Sequence, residues 1–187
     1  MHVIVEGLDR VGKDTLISEL QHRLGYRLVL HYQKPVALRV YADRFGSDAL
    51  REYQRASFRT MLSILRDEER QVICNRSHLG EFVYAPLYRK YDGGYVFELE
   101  REYQVAKWQH VRVVLLVEDL ASSTHFSDDG KSLGDATSRS EEQDLFLDAL
   151  SKSSFADKRT VCVTDTSSGG FRPASEIANE VMAPSFE

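Results

Sequence analysis

The chain has 187 residues, with 24 Lys and Arg against 29 Asp and Glu and a formal net charge of −5 at pH 7. That balance excludes a global positive field drawing the molecule to nucleic acid or an anionic membrane, and leaves room only for a local basic cleft. Hydrophobic residues make up 42 %, too many for a disordered chain and enough for one domain over residues 1–187.

In chain order, residues 2–6 form an apolar strand that reaches Gly7, passes four residues and arrives at Gly12-Lys13. A helix over 13–24 follows, with Leu16, Ile17, Leu20 and Leu24 on one face. Residues 28–32 form a second strand, broken by Lys34-Pro35. A long helix spans 47–68 and carries Leu50, Tyr53, Phe58, Met61, Leu62 and Leu65. Residues 71–74 form a strand that ends at Asn75-Arg76-Ser77. The stretch 80–90 is helical in part, and 97–107 is helical. Residues 111–117 are apolar almost throughout, as in the interior of a parallel sheet. Residues 126–139 are rich in Asp, Ser and Gly and are expected to be a mobile lid. A helix over 141–152, a strand over 160–164 and a helix over 173–182 complete the chain. Five strands separated by helices predict an α/β three-layer sandwich with a five-stranded parallel sheet. Ligands in such sheets sit at the carboxyl ends of the strands, where the unusual sequences of this chain fall.

No signal-like segment precedes the first strand and no apolar run approaches membrane-spanning length, so a cytoplasmic location without a membrane partner is expected. Cys74 and Cys162 are the only cysteines; both lie in apolar or β-type runs and read as buried thiols of a reducing compartment. No Cys or His pair has the spacing of a structural zinc site.

The run from Gly7 through Leu8, Asp9, Arg10, Val11, Gly12 and Lys13 to Asp14 and Thr15 is a phosphate-binding loop, with Asp14 where Ser or Thr is usual. Its backbone N–H groups and the following helix N-terminus suit a polyphosphate. Lys13 would reach the β- and γ-phosphates. Asp14 or Thr15 would approach Mg²⁺, because a carboxylate beside a triphosphate is repelled unless a cation lies between them. Arg10, inside the loop, would supply charge to the transferring phosphoryl. Asp9 would accept from a sugar hydroxyl or orient Arg10. Arg76, just past the third strand, is placed to grip an acceptor phosphate.

The run Glu6-Gly7-Leu8-Asp9-Arg10-Val11-Gly12-Lys13 resembles the loop of thymidylate kinases, in the type with Asp-Arg inside the loop. Asn75-Arg76-Ser77 matches that family's Asp-Arg pair at the end of the third strand. Gly80-Glu81-Phe82-Val83-Tyr84-Ala85-Pro86 resembles thymidylate-kinase-like proteins of viral type. The resemblance implies a P-loop nucleoside-monophosphate-kinase fold, ATP as donor, Mg²⁺ and a pyrimidine deoxynucleotide acceptor. By it, Asp9, Arg10, Lys13 and Arg76 are catalytic, and the acceptor pocket draws on Lys34, Asn75, Arg76, Tyr84 and an aromatic and an arginine among Tyr53, Arg55, Phe58 and Arg59. Phe58 also fits plain core. Asn75 departs from the family's Asp, and Asp14 from its Ser or Thr.

Lys34-Pro35-Val36 and Asn75-Arg76-Ser77 are also similar to deoxynucleoside kinases, which carry Glu-Pro-Val and Glu-Arg-Ser there and use that first glutamate as general base. A lysine at this position fits an anionic acceptor better than a neutral nucleoside. Arg139-Ser140-Glu141-Glu142 is similar to their arginine-bearing lid. One alternative is a kinase acting on the hydroxymethyl group of a modified pyrimidine such as 5-hydroxymethyluracil in DNA; Arg39, Arg44, Arg51, Arg55, Arg59, Arg89 and Lys90 would then form a basic groove. Another is a deoxynucleoside kinase or a weakly catalytic nucleotide-binding module. The implied partners are a nucleotide substrate, with a DNA substrate and a homodimer as alternatives. No Asn-Lys-x-Asp guanine motif of a GTPase occurs.

Overall fold

The computed structural model describes residues 1–25, 28–32, 40, 43–120 and 136–184. The elements are β1 (His2–Gly7), α1 (Lys13–Leu24), β2 (Leu28–His31), α2 (Ser47–Leu65), β3 (Val72–Asn75), α3 (His78–Tyr84), α4 (Tyr95–Tyr103), β4 (Val111–Val117), α5 (Ala136–Lys152), β5 (Asp157–Cys162) and α6 (Ala174–Met182). A π-helical turn, Ala85–Arg89, continues α3, and a 3₁₀ turn, Val105–Lys107, follows α4.

The five strands pair in parallel in the order β2-β3-β1-β4-β5. β1 lies at the centre, with Ile4 opposite Cys74 on one side and Val113 on the other. Every residue of β1 is buried, which is why its sequence is a continuous apolar run rather than an alternation. Helices cover both faces: α1 packs with α6 on one, while α2 packs with α4 and α3 with α5 on the other. Because the chain leaves β1 for β2 on one side and later crosses to β4 on the other, a crevice opens at the carboxyl end of β1. The expected α/β three-layer sandwich is therefore the observed architecture.

Several bounds differ from the sequence reading. The last strand starts at Asp157 instead of 160, because Arg112 on β4 pairs with Asp157 at 2.7 Å and anchors a polar strand start that carries no apolar signal. The helix expected over 97–107 begins at Tyr95 and ends at Tyr103, where Gln104 turns left-handed with φ 55. The last long helix begins at Ala136, inside the segment expected to be a lid; the rest of that segment lies outside the described residues. Cys74 is buried but Cys162 only half-buried, and both are free thiols. No described helix is long and apolar enough to cross a membrane.

Candidate active site

The loop between β1 and α1 leaves the strand through Gly7, whose φ is 138. A Cβ there would lie 2.6 Å from the Leu116 carbonyl oxygen, so only glycine lets the loop start this close to β4. Leu8 and Val11 are buried and pin the loop into the core, leaving Asp9 and Arg10 at its half-exposed rim. Gly12, with φ 81, opens α1 in the left-handed region. Lys13 folds across the loop and its Nζ donates to the Gly7 carbonyl at 2.9 Å and to that of Leu8 at 2.5 Å. Burial, with the Arg76 charge second, pulls the Lys13 ammonium down to about 7, against the opposing pull of Asp9, Glu6 and Asp14. A polyphosphate beside it would favour the ammonium again.

Arg76 joins three elements. Its backbone, at φ 69, donates to the Val5 carbonyl at 2.9 Å. Its guanidinium donates to the Asp9 carboxylate and, at 3.2 Å, to the Tyr84 hydroxyl, and lies 5.5 Å from the Tyr84 ring centre. Ser77 caps α3 by accepting from the Leu79 N–H. Its own hydroxyl donates to Glu6 Oε1 at 2.5 Å, and the Gly80 N–H donates to the same oxygen at 3.2 Å. Burial holds the Glu6 carboxyl above its usual range in spite of these bonds. Asn75, at the end of β3, donates from Nδ2 to Asp14 Oδ1 at 2.5 Å and lies 3.3 Å from His31 Nδ1.

Beside the loop lies a cavity of about 170 Å³ lined by His31, Tyr32, Tyr53, Gln54, Phe58, Arg76, Glu81, Tyr84 and Arg89, among others. Its polar wall is built on Glu81. That buried carboxylate accepts from Gln54 Nε2 at 3.1 Å, from the Tyr95 hydroxyl at 3.1 Å, and from Arg89 and the Tyr91 hydroxyl. A carboxylate accepts only, so the Gln54 amide must present its nitrogen to Glu81. Tyr53, Phe58 and Tyr84 give the same cavity aromatic surface.

At the end of β4, Glu118 pairs with Arg139 of α5, which also donates to the Asp9 carbonyl at 3.3 Å. Gln143 brackets the Glu118 backbone with bonds of 2.8 and 3.1 Å. The loop, the β4 end and α5 are thereby linked.

The structure brings Asp9, Lys13, Asp14, Asn75, Arg76, Phe58 and Tyr84 to one crevice, with Arg10 on the loop itself. It carries Arg55 and Arg59 elsewhere on α2: Arg55 donates to Glu98 at 3.5 Å and Arg59 to Glu102 at 2.9 Å, and neither lines the cavity. Tyr53 and Gln54 take that place. Lys34 and Arg39 lie outside the described residues. Sequence reasoning missed the cavity roles of His31, Gln54 and Glu81, placed Arg89 only in a DNA groove, and missed Glu118. His31 and Glu118 end or directly follow parallel strands, a readable signal; Gln54 and Glu81 carried none.

Among the described residues no three His, Cys, Asp or Glu gather as a metal cage. Asp14 and Thr15, exposed residues in the first turn of α1, carry oxygens that suit Mg²⁺, which takes one or two protein oxygens together with phosphates and water.

No protein-family model and no curated protein matches the chain. Solved structures do. The chain is similar to the YorR protein of Bacillus subtilis, crystallised with phosphorylated GDP, at 19 % identity and TM-score 0.63 over 97 % of this chain and 94 % of that one. Thymidylate kinase from Candida albicans matches at 15 % identity and TM-score 0.59, over 96 % and 88 %. Deoxyadenosine kinase from M. mycoides, with dCMP and dCDP bound, matches at 13 % identity and TM-score 0.56, over 97 % of both chains. The shared feature is the fold, that of the P-loop nucleoside and nucleotide kinases.

Proposed function

We propose that the chain is an ATP-dependent kinase that transfers the γ-phosphoryl group to a pyrimidine deoxynucleoside monophosphate. The observation that carries this reading is Arg76, a buried guanidinium that touches Asp9 of the phosphate loop on one side and lines the aromatic cavity on the other. An acceptor phosphate entering between the loop and the cavity would meet this guanidinium directly. Thymidylate kinase among the structural neighbours adds support for a nucleotide acceptor, whereas deoxyadenosine kinase is named for a nucleoside.

In this reading the amides of Gly7–Thr15 and the Lys13 ammonium hold the donor, Arg10 spans donor and acceptor, and Arg76 holds the acceptor phosphate. Tyr84, Phe58 and Tyr53 flank the base. An acceptor phosphate oxygen forms a bond to the γ-phosphorus as the bond to the β–γ bridging oxygen breaks, and ADP leaves. That oxygen is already ionised, so no general base is required. A magnesium ion held through Asp14 or Thr15 would neutralise charge on the donor phosphates.

A hydroxymethylpyrimidine in DNA is less well supported. Arg55, Arg59 and Arg89, three cations of the basic groove such an acceptor needs, are each paired with a carboxylate, Glu98, Glu102 and Glu81 respectively.

The test is ATP consumption by the purified protein against deoxynucleoside monophosphates, free deoxynucleosides and hydroxymethylated DNA. Turnover should be fastest with a pyrimidine monophosphate. Arg76→Lys, which loses the bidentate fork, should raise KM for that acceptor at least about tenfold. Faster turnover of thymidine than of its monophosphate would sink the proposal.

A further inference from the structure

We propose that in this chain the divalent ion accompanying the nucleotide is held directly by the Asp14 carboxylate, with Asn75 as the residue that positions it. The proposal rests on the phosphate-loop reading above. In phosphate loops the residue after the lysine ordinarily offers a hydroxyl to Mg²⁺, and an aspartate from a nearby strand completes the ion's protein contacts. Here the residue after Lys13 is an aspartate, and β3, the strand beside β1, ends in an asparagine.

The two exceptions meet in space. They are 61 residues apart, yet Asn75 Nδ2 donates to Asp14 Oδ1 at 2.5 Å. The site therefore keeps one carboxylate, moved from the strand to the helix. The chemistry of the pair assigns the amide: an ionised carboxylate accepts only, so the nitrogen of Asn75 faces Asp14. The second hydrogen on that nitrogen points to His31 Nδ1, 3.3 Å away. Asn75 is thus held between α1 and the end of β2, and through it the carboxylate keeps one orientation. Asp14 Oδ2 has no hydrogen-bond partner among the described residues, and Asp14 is an exposed residue beside the loop that would hold the phosphates.

A carboxylate in the first turn of a helix is ordinarily explained by the helix dipole. That role requires no buried amide from a neighbouring strand. It also leaves an unscreened negative charge one residue from the lysine that grips a polyanion. An ion between carboxylate and phosphate removes that repulsion, and a hard cation prefers a carboxylate oxygen to a hydroxyl.

The experiment uses the full chain and measures two affinities: that of ATP in EDTA by calorimetry, and that of Mn²⁺ for the ATP-bound protein by the loss of its free-ion EPR signal. Asp14→Asn preserves shape and hydrogen bonding at an exposed site. It should weaken Mn²⁺ at least about tenfold while leaving metal-free ATP binding unchanged or tighter, since the repulsive charge is gone. Asn75→Ala should weaken Mn²⁺ several-fold in the native background and not at all in the Asp14→Asn background, the mark of a residue acting through another. The exchange Asp14→Ser with Asn75→Asp should recover most of the lost Mn²⁺ affinity. Unchanged Mn²⁺ affinity in Asp14→Asn, or equal loss of ATP with and without metal, overturns the proposal while leaving the phosphate loop standing. Failure of the unaltered protein to bind ATP at all would overturn both.

Discussion

Glu81 is a buried carboxylate with donors of two kinds, one ionised (Arg89) and three neutral (Gln54, Tyr91 and Tyr95). The pair is therefore asymmetric. Without Arg89, Glu81 still has three donors to spread its charge over. Without Glu81, a guanidinium only 3 % exposed, whose Nε has no partner among the described residues, is left uncompensated. Glu81→Ala should cost about 3–5 kcal/mol, the usual consequence of stranding one member of a buried ion pair. Arg89→Met, which keeps volume and retains the neutral donors, should cost only about 1–3 kcal/mol. Urea unfolding of the two variants at neutral pH decides the matter. Equal costs would mean that the net charge, not the hydrogen-bond inventory, governs this wall.

At the scale of elements, the wall depends on how α3 ends. Pro86 supplies no backbone N–H, and the helix widens into the π-helical turn Ala85–Arg89 before Lys90 closes it at φ 61. An interruption at a proline is the ordinary physical cause of such a turn. It brings Arg89 back against Glu81, eight positions earlier. The chain then returns over α3 at Gly93. A Cβ there would lie 2.6 Å from Phe82 Cα and 2.7 Å from the Glu81 carbonyl oxygen. Both neighbours are backbone and cannot step aside. Gly93→Ala should therefore destabilise by about 1–3 kcal/mol or more, seen as a lower melting temperature, and should disturb the Glu81 wall. Gly25→Ala is the comparison: Gly25 has φ 77 and ψ −172, a conformation essentially reserved for glycine, but open space around it, so its cost of about 1–3 kcal/mol comes from the backbone alone. A melting temperature for Gly93→Ala equal to that of the native chain would show that the return over α3 can shift.

For the molecule as a whole, three carboxyls near the crevice are pushed in one direction. Burial raises Glu6, Glu118 and Glu142 above their usual value of 4.5. Below that value both folded and unfolded states are protonated at these groups, and burial costs nothing. As pH rises past it the unfolded state releases protons first, so it binds fewer than the folded state, and unfolding free energy falls until the folded carboxyls ionise. Glu100 acts oppositely: burial works to raise it, but hydrogen bonds from His78, Ser154 and Ser153 prevail and lower it, so its contribution is lost in acid. Glu6→Gln removes one group of the first kind while keeping an oxygen for Ser77 and Gly80. Its stability relative to the native chain should increase as pH rises from about 4.5, and chemical unfolding at a series of pH values measures this. A constant difference across that range would mean that Glu6 titrates normally in the fold.

The strand–loop–helix turn over residues 7–15 was legible in the sequence because its parts are contiguous. A strand, two glycines at fixed spacing, a lysine and a helix place their own groups with no help from distant chain. The parallel sheet was legible for a related reason: strands buried on both faces must be apolar throughout, and 111–117 is. The strand that starts at Asp157 was not, because an edge strand held by an Arg112–Asp157 pair needs no apolar signal. On α2 the sequence offered Tyr53, Arg55, Phe58 and Arg59 with no fixed register, Phe58 also as plain core, and helical spacing alone does not say which side of the helix meets the cavity. Packing against α4 decided it, turning Arg55 and Arg59 toward Glu98 and Glu102 and leaving Tyr53 and Gln54 on the cavity. Asp14 and Asn75 are two departures 61 residues apart in the chain. Only the tertiary structure makes them one contact, because the end of β3 and the first turn of α1 become neighbours when β1 and β3 pair in parallel.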